Sequence, residues 1–253
     1  MGIIGGELGY RLLRGIASAP RQGQMDGSAF AGKSKLEVLL GRDMLARTTG
    51  KSVLDFGCGE GAQAVELAER GAGRVIGLDI QPHLLEIGRQ RALARGLAER
   101  VVFASEWSEP VDVVVCLDAF EHFSDPAEIL ATMFRLLKPG GCVLASFGPT
   151  WYHPLGGHLF SVFPWSHLVF TEAALIRWRG GFKTDGATRF GEVAGGLNQM
   201  TIGRFETLVR HSAFEAEVIE AVPIRRLAWM ANSLTREFTT AVVRAVLRKP
   251  LAG

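Results

Sequence analysis

The sequence predicts a doubly wound α/β fold, a parallel sheet covered by helices on both faces. Three observations lead there. Between residues 52 and 147, short apolar strands alternate with amphipathic helices. One of these strands, residues 111–116, is an almost unbroken β-branched run, which suits a parallel strand buried on both faces. The first strand runs directly into a glycine turn, Gly57-Cys58-Gly59-Glu60-Gly61, that opens a helix.

Each element has its own warrant. Residues 1–32 are glycine-rich, and Leu8, Leu12 and Leu13 suggest one small helix lying over the core. Leu36, Leu39, Leu40 and Met44 fall at helical spacing, and Thr48-Thr49-Gly50 ends that helix. Strand one is 52–56. Helix 62–70 follows with Val65 and Leu67 inward, and Gly71-Ala72-Gly73 stops it. Strand two, 74–78, ends at Asp79. Pro82 sits in the first turn of a helix reaching residue 95, with Leu84, Leu85, Ile87 and Leu93 as its buried side. Strand three is 101–104 and strand four 111–116. A helix over 126–137 and the turn Pro139-Gly140-Gly141 lead to strand five, 142–147. Right-handed crossovers then place a ligand at the carboxyl ends of strands one, two and four.

The alternation stops at residue 148. Residues 148–200 are rich in Gly, His, Trp and Phe and carry Pro149, Pro154 and Pro164. That is too long for a plain connection, so it reads as a functional insert or cap. Short helices are expected from Thr171 to Trp178 and over 201–211, then a strand over 215–221 and a helix over 227–238. Residues 242–247 read as a last strand or as the end of that helix. The chain thus divides into an N-terminal helical lid region (1–50), a cofactor-binding core (51–147), a substrate-side insert (148–214) and a C-terminal part completing the sheet (215–253).

Composition narrows the function classes. With 253 residues, 47% hydrophobic and 21% charged, the chain is globular rather than disordered. A net charge of +2 does not call for nucleic acid as a partner. The three cysteines, Cys58, Cys116 and Cys142, have no zinc spacing and read as reduced core residues of a cytoplasmic protein. No secretory leader pattern opens the chain and no 18-residue apolar run appears, so no membrane span is expected. Arg225, Arg226, Arg236 and Arg244 leave contact of a basic helix with a membrane surface open.

The glycine turn is the cofactor signal. Gly57, Gly59 and Ala62 also satisfy the loose dinucleotide pattern, so a nicotinamide cofactor is one reading. Asp55 weighs against it. A carboxylate two residues before the first glycine would repel a pyrophosphate and suits a ligand with an ammonium group. S-adenosylmethionine carries such a group.

At this point the chain resembles the class I S-adenosylmethionine-dependent methyltransferases. The resemblance rests on residues 53–61, on Asp79 after strand two, on the segment from Asp112 to His122, which is similar to the fourth motif of the small-molecule subgroup that carries Glu-His, and on Leu136-Leu137-Lys138-Pro139-Gly140-Gly141. It implies a Rossmann-like sheet of seven strands with the last antiparallel, which favours a strand at 242–247. It also implies site roles. Asp55, Gly57, Cys58 and Gly59 would hold the methionine part, and Asp79 both ribose hydroxyls. Ile80 would pack on the adenine, Ser105 or Glu106 would meet its amino group, and Trp107 would cover the ring. Leu117 and Asp118 would line the methionine side, with a helix cap as the plain reading of Asp118, and His122 would shape the pocket or meet the cofactor, with structural support as its plain reading.

Methyl transfer is a direct displacement that needs alignment and a dry cavity. A hydroxyl acceptor also needs a base. Three of the six histidines, His153, His158 and His167, lie in the insert among Trp151, Tyr152 and Trp165. We rank His158 first as base, then His153, then His167. Structural ties within the loop and metal binding are the competing readings, and the spacing supports no metal motif. Arg177, Arg179, Lys183 and Arg189 read either as anion contacts or as a solvated loop. The resulting expectation is O-methylation, before N-methylation, of a small apolar or ring-bearing acceptor. A peptide or carrier-bound substrate and a nicotinamide-dependent oxidoreductase are the alternatives.

Overall fold

The computed structural model describes residues 2–16, 32–193 and 195–251; much of the predicted N-terminal lid region, 17–31, lies outside the described residues. After α1 (Gly6–Ile16) and α2 (Lys35–Ala46), strands and helices alternate. They are β1 (Ser52–Phe56), α3 (Ala62–Glu69), β2 (Arg74–Leu78), α4 (Pro82–Ala94), β3 (Val101–Ala104), β4 (Val111–Leu117), α5 (Pro126–Arg135) and β5 (Leu137–Phe147). The insert holds α6 (Ser166–Val169) and α7 (Glu172–Arg179). Then come α8 (Ile202–Arg210), β6 (Glu215–Pro223), α9 (Arg236–Thr239) and β7 (Thr240–Arg248).

The seven strands form one sheet in the order β3-β2-β1-β4-β5-β7-β6. The first five are parallel, and β7 runs antiparallel to both β5 and β6. Strand order reverses between β1 and β4, and a crevice at that reversal is where such sheets bind ligands.

Side-chain alternation builds two cores. Val53, Val75, Val113, Val115 and Leu144 face α2, α3 and α4. Leu54, Ile76, Val114, Cys116 and Val143 face α5 and α8. A third core belongs to the insert, where Trp151, Phe160, Phe170, Leu175, Trp178 and Phe190 close on one another. Leu13 of α1 joins that cluster, so the first helix is part of the cap rather than of the sheet.

Several local expectations change. α4 packs through Leu85, Gly88 and Ala92, leaving Ile87 and Leu93 exposed. A Cβ on Gly88 would meet the Phe103 ring at 2.6 Å, so the helix is drawn in along its small-residue edge. β5 starts earlier than expected. Its pairing steps from Val111↔Leu137 to Val113↔Cys142, so residues 138–141 bulge out within the strand. The single helix expected over 227–238 is a 3₁₀ turn, Arg225–Met230, followed by the short α9. Asn232 breaks it by accepting from the N–H groups of Leu234 and Thr235. Among the described residues, no helix is long and apolar enough to cross a membrane.

Candidate active site

The carboxyl ends of β1, β2 and β4 converge at the sheet reversal. Gly57, Gly59 and Gly61 all have positive φ, at 79°, 51° and 71°. A Cβ on Gly57 or Gly59 would meet nothing within 4 Å, so this side of the turn faces open space. Gly61 is the opposite case: a Cβ there would meet Phe103 at 2.3 Å. Gly77 approaches the same ring, so Phe103 keys the turn, β2 and α4 together. Cys58 is buried in the core with its thiol pushed up by burial, which leaves its backbone as the part available to a ligand.

Asp79 ties the turn down. Its Oδ2 accepts from the Gly59 N–H at 2.9 Å and its Oδ1 from the Gln81 N–H at 2.9 Å. Each oxygen keeps lone-pair capacity for a hydroxyl donor. Ile80 beside it is 88% exposed, an apolar side chain standing bare at the carboxyl edge.

Asp55 is 3% exposed, and its Oδ2 has no partner among the described residues. Burial pushes its carboxyl up to about 7, against the opposing pull of Lys35 and of the Ala64 N–H. Asp118 has φ 47° and its Oδ2 lies 2.8 Å from Lys35 Nζ. It caps no helix: the N-cap of α5 is Asp125, which accepts from Ala127 and Glu128. Glu121 is 2% exposed. Its Oε1 accepts from the Gly148 N–H at 3.3 Å, and its Oε2 has no partner among the described residues. Burial pushes this carboxyl up to about 8. Leu117 is half-buried against the core beneath. The end of the sheet therefore holds two buried carboxyls, each with a bare oxygen, beside one Asp–Lys pair.

The adenine-side residues separate. Ser105 and Glu106 are exposed just past β3. Trp107 is on the wrong side for an adenine. No helix follows β3, so residues 105–110 run back to the amino end of β4. There the Trp107 ring lies under the Arg74 guanidinium at 5.3 Å, and its Nε1 donates to Glu109 O.

The histidines also separate. His167 is sealed in the cap. Its Nε2 donates to Trp151 O at 2.7 Å, and its Nδ1 accepts from the Ser161 hydroxyl at 3.1 Å. With both ring nitrogens committed, it stitches the insert and has no lone pair left for a substrate. His153 Nδ1 accepts from the Leu155 N–H at 2.9 Å, and burial followed by His167 pulls its pKa down to about 4. His158 stands on a cavity of about 520 Å³ with a buried Nε2 that has no partner among the described residues. Burial, then His122, His167 and His153, hold its pKa down to about 4. His122 lines the same cavity, its ring edge-on to His158 at 5.3 Å. Its Nδ1 is 2.9 Å from Gly196 O, and a carbonyl only accepts. Nδ1 therefore carries the proton, and Nε2 of the neutral ring carries the lone pair.

Arg179, read as an anion contact or a solvated-loop residue, is buried and pairs through both terminal nitrogens with Asp185 at the cavity wall. Arg177 stacks on Tyr10 at 3.9 Å and pairs with Glu7, fastening α1 to α7. Asn198 Nδ2 donates to Phe120 O and Phe123 O, which holds the loop carrying Glu121 and His122.

Residues 53–141 match the profile of a family described as a methyltransferase domain. These residues form a methyltransferase domain. In the comparison with curated proteins, a ubiquinone biosynthesis O-methyltransferase from Pseudomonas paraeruginosa is 40% identical over 110 residues, 41% of this chain and 47% of that protein. The match spans about half the length of that relative. Among solved structures, an S-adenosylmethionine-dependent methyltransferase from Mesorhizobium loti aligns over 82% of this chain and 94% of its own, with TM-score 0.54 and 19% identity. The cyclase SpnF aligns over 83% and 80%, with TM-score 0.55 and 20% identity. At such identities the likeness is one of fold, and a cyclase on the same fold shows that fold does not fix reaction.

Lys35 is the residue of the methyltransferase domain's cleft that sequence reasoning missed. It comes from α2, outside the matched segment. A signal was there: Ser34-Lys35-Leu36-Glu37 is a capping box, and Ser34 Oγ accepts from the Glu37 N–H at 3.0 Å. Ser34 Oγ also donates to Glu66 at 2.5 Å, which fixes the start of α2 to α3.

Proposed function

We propose that this chain transfers a methyl group from S-adenosylmethionine to a hydroxyl of a small, ring-bearing acceptor. The residues at the sheet end suit that donor. Asp55, with its bare buried oxygen beside the open glycine turn, answers the ammonium of the methionine part, and Lys35 its carboxylate. Asp79 takes the ribose hydroxyls, Ile80 offers an apolar face to the adenine, and Ser105 or Glu106 reaches its amino group. Leu117 and Asp118 flank the methionine side. The bound donor supplies an electrophilic methyl on a sulfonium.

The chain's own work is placement and proton removal. His122 is fixed in one tautomer by Gly196, so its Nε2 can accept the acceptor hydroxyl's proton as the methyl moves. His158, held neutral by burial, stands edge-on as second candidate and as wall. The cap's aromatic core supplies apolar wall to the cavity through Phe160 and Leu197. The observation that carries the hydroxyl reading is this pair of imidazoles lining one cavity of about 520 Å³. The name of the 40% identical relative points the same way for the segment it covers.

The test is incubation of the full chain with S-adenosylmethionine and a panel of phenols and catechols bearing apolar substituents, read by mass spectrometry. Methylated phenol is expected, with loss of turnover in His122→Ala while S-adenosylhomocysteine still binds. Methylation confined to amines, or to peptide- or carrier-bound acceptors, would overturn the hydroxyl small-molecule reading.

A further inference from the structure

The segment between β6 and β7 exposes more apolar surface than a solvated loop needs. Trp229 is 82% exposed and Leu234 is 89% exposed, with Met230 and Phe238 also exposed. Phe238 lies 5.3 Å from the exposed ring of Tyr152, which extends the surface onto the insert. Scattered apolar residues on a surface are ordinary, but a bare tryptophan and leucine within one short loop are not.

This loop is ordered by its own polar bonds. Asn232 Oδ1 accepts from the N–H groups of Leu234 and Thr235, and its Nδ2 donates to Met230 O. Thr235 Oγ1 donates to Met230 O at 2.6 Å. Arg236 pairs with both carboxylate oxygens of Glu206 at 2.6 Å, and Glu237 caps the start of α8 through Ile202 and Gly203. The apolar side chains are thus held outward by a fixed turn.

The charge is one-sided. Residues 224–236 contain three arginines and no acid. Arg236 is consumed by Glu206, whereas Arg225 and Arg226 are exposed and have no ion-pair partner among the described residues. The nearby carboxylates Glu206 and Glu237 are both turned to internal donors. A partner for this surface must accept apolar side chains and present negative charge. A second copy of the chain fits poorly, because a two-fold contact repeats the same patch on both sides and adds no acid to it.

We propose that the β6–β7 loop is a docking surface for an anionic lipid bilayer, with Trp229, Met230, Leu234 and Phe238 entering the interface and Arg225 and Arg226 meeting headgroup phosphates. This assignment does not depend on the identity of the methyl acceptor. The test is co-sedimentation of the full chain with vesicles of pure phosphatidylcholine and with vesicles containing one-third phosphatidylglycerol. Binding is expected to the anionic vesicles, with a blue shift of tryptophan emission. Arg225→Ala with Arg226→Ala should weaken it about thirtyfold, at about fivefold per arginine. Trp229→Ala with Leu234→Ser should weaken it about tenfold or more. Retained S-adenosylhomocysteine binding and far-ultraviolet dichroism show that each variant is folded. Three outcomes would overturn the proposal: a chain left in the supernatant with both vesicle types, equal binding to both, or a dimer in analytical ultracentrifugation that Trp229→Ala with Leu234→Ser dissociates.

Discussion

The sheet end and the His167 relay of the cap treat buried polar groups in opposite ways, although elsewhere in the insert Thr150 Oγ1, His158 Nε2 and Arg179 Nε are also buried without a partner among the described residues. At the sheet end, Asp55 and Glu121 are sealed from water and each keeps an oxygen without a partner among the described residues. In the cap, a relay runs from the Gly157 N–H to Ser161 Oγ, from Ser161 to His167, and from His167 to Trp151 O, so each group is answered inside the chain. A site that waits for a ligand leaves its electrostatics incomplete. A loop that must only hold its shape completes them. The difference separates binding residues from structural ones better than residue type does, since both regions are rich in titratable groups.

The sharpest way to break this comparison is Asp55→Asn. If the bare carboxyl is there to meet a cation, S-adenosylhomocysteine affinity should fall by about two to three orders of magnitude, the scale of removing one member of a buried pair. The same variant should melt higher without ligand, because it no longer buries an ionisable group. Calorimetric titration and thermal unfolding measure the two effects. Unchanged affinity would mean that the exposed turn, and not Asp55, reads the ligand.

His122→Ala comes next. A positioned base contributes about 10²-fold or more to rate. The turnover number should fall by that factor with little change in S-adenosylhomocysteine affinity, while His158→Ala should cost less. A larger loss in His158→Ala would restore the insert histidine to first place.

The same contrast explains what was legible in the sequence. The strand–helix alternation, the glycine turn and Asp79 rest on local chemistry, and each stands where its residues predict. The seventh strand was faintly marked by the β-branched pair Val242-Val243 and favoured by the resemblance, and it pairs antiparallel with β5 from Val243 to Arg248. Trp107 was misplaced because its position depends on how the chain returns from β3 without a helix, a tertiary fact. The insert histidines looked alike in sequence. Only packing reveals that Trp151 O and Ser161 claim both nitrogens of His167, while Gly196, 74 residues away, orients His122. Lys35 lay hidden for a related reason: a cation delivered from a separate helix has no spacing relation to the glycine turn.

The pH dependence of binding sharpens the sheet-end half. Asp55 titrates near 7 in the unliganded chain. Below that pH it is protonated and must lose a proton to pair with an ammonium. Affinity for S-adenosylhomocysteine should therefore rise up to about tenfold per pH unit below 7 and level off above it. Titration at pH 6 in buffers of different ionisation enthalpy should show up to about one proton released. The stability of the unliganded chain runs the other way. The native carboxyl holds its proton to higher pH than the unfolded one, so this group's contribution declines from about pH 4 to about pH 7.

The smallest effect tests the cap. His167→Gln should leave S-adenosylhomocysteine affinity unchanged and lower stability by about 1–3 kcal/mol, because the flexible amide does not hold the buried Trp151 O and the half-buried Ser161 hydroxyl together as the ring does. For a chain of this size that is a fall of about 2–4 °C in melting temperature per kcal/mol. Acid should act on the same region. His153 and His158 are held down to about 4, below the ordinary histidine value of 6.5. Their neutral forms favour the folded cap above pH 6.5, and that advantage is lost as the pH falls towards 4, where the unfolded chain takes up protons that the folded one refuses. Melting temperature followed from pH 7 to 4 should therefore drop in the native chain, and drop less in a His153→Asn, His158→Asn double variant. If His167→Gln instead abolished turnover in a protein that melts like the native one, the relay would be part of the chemistry and the division between the two regions would fail.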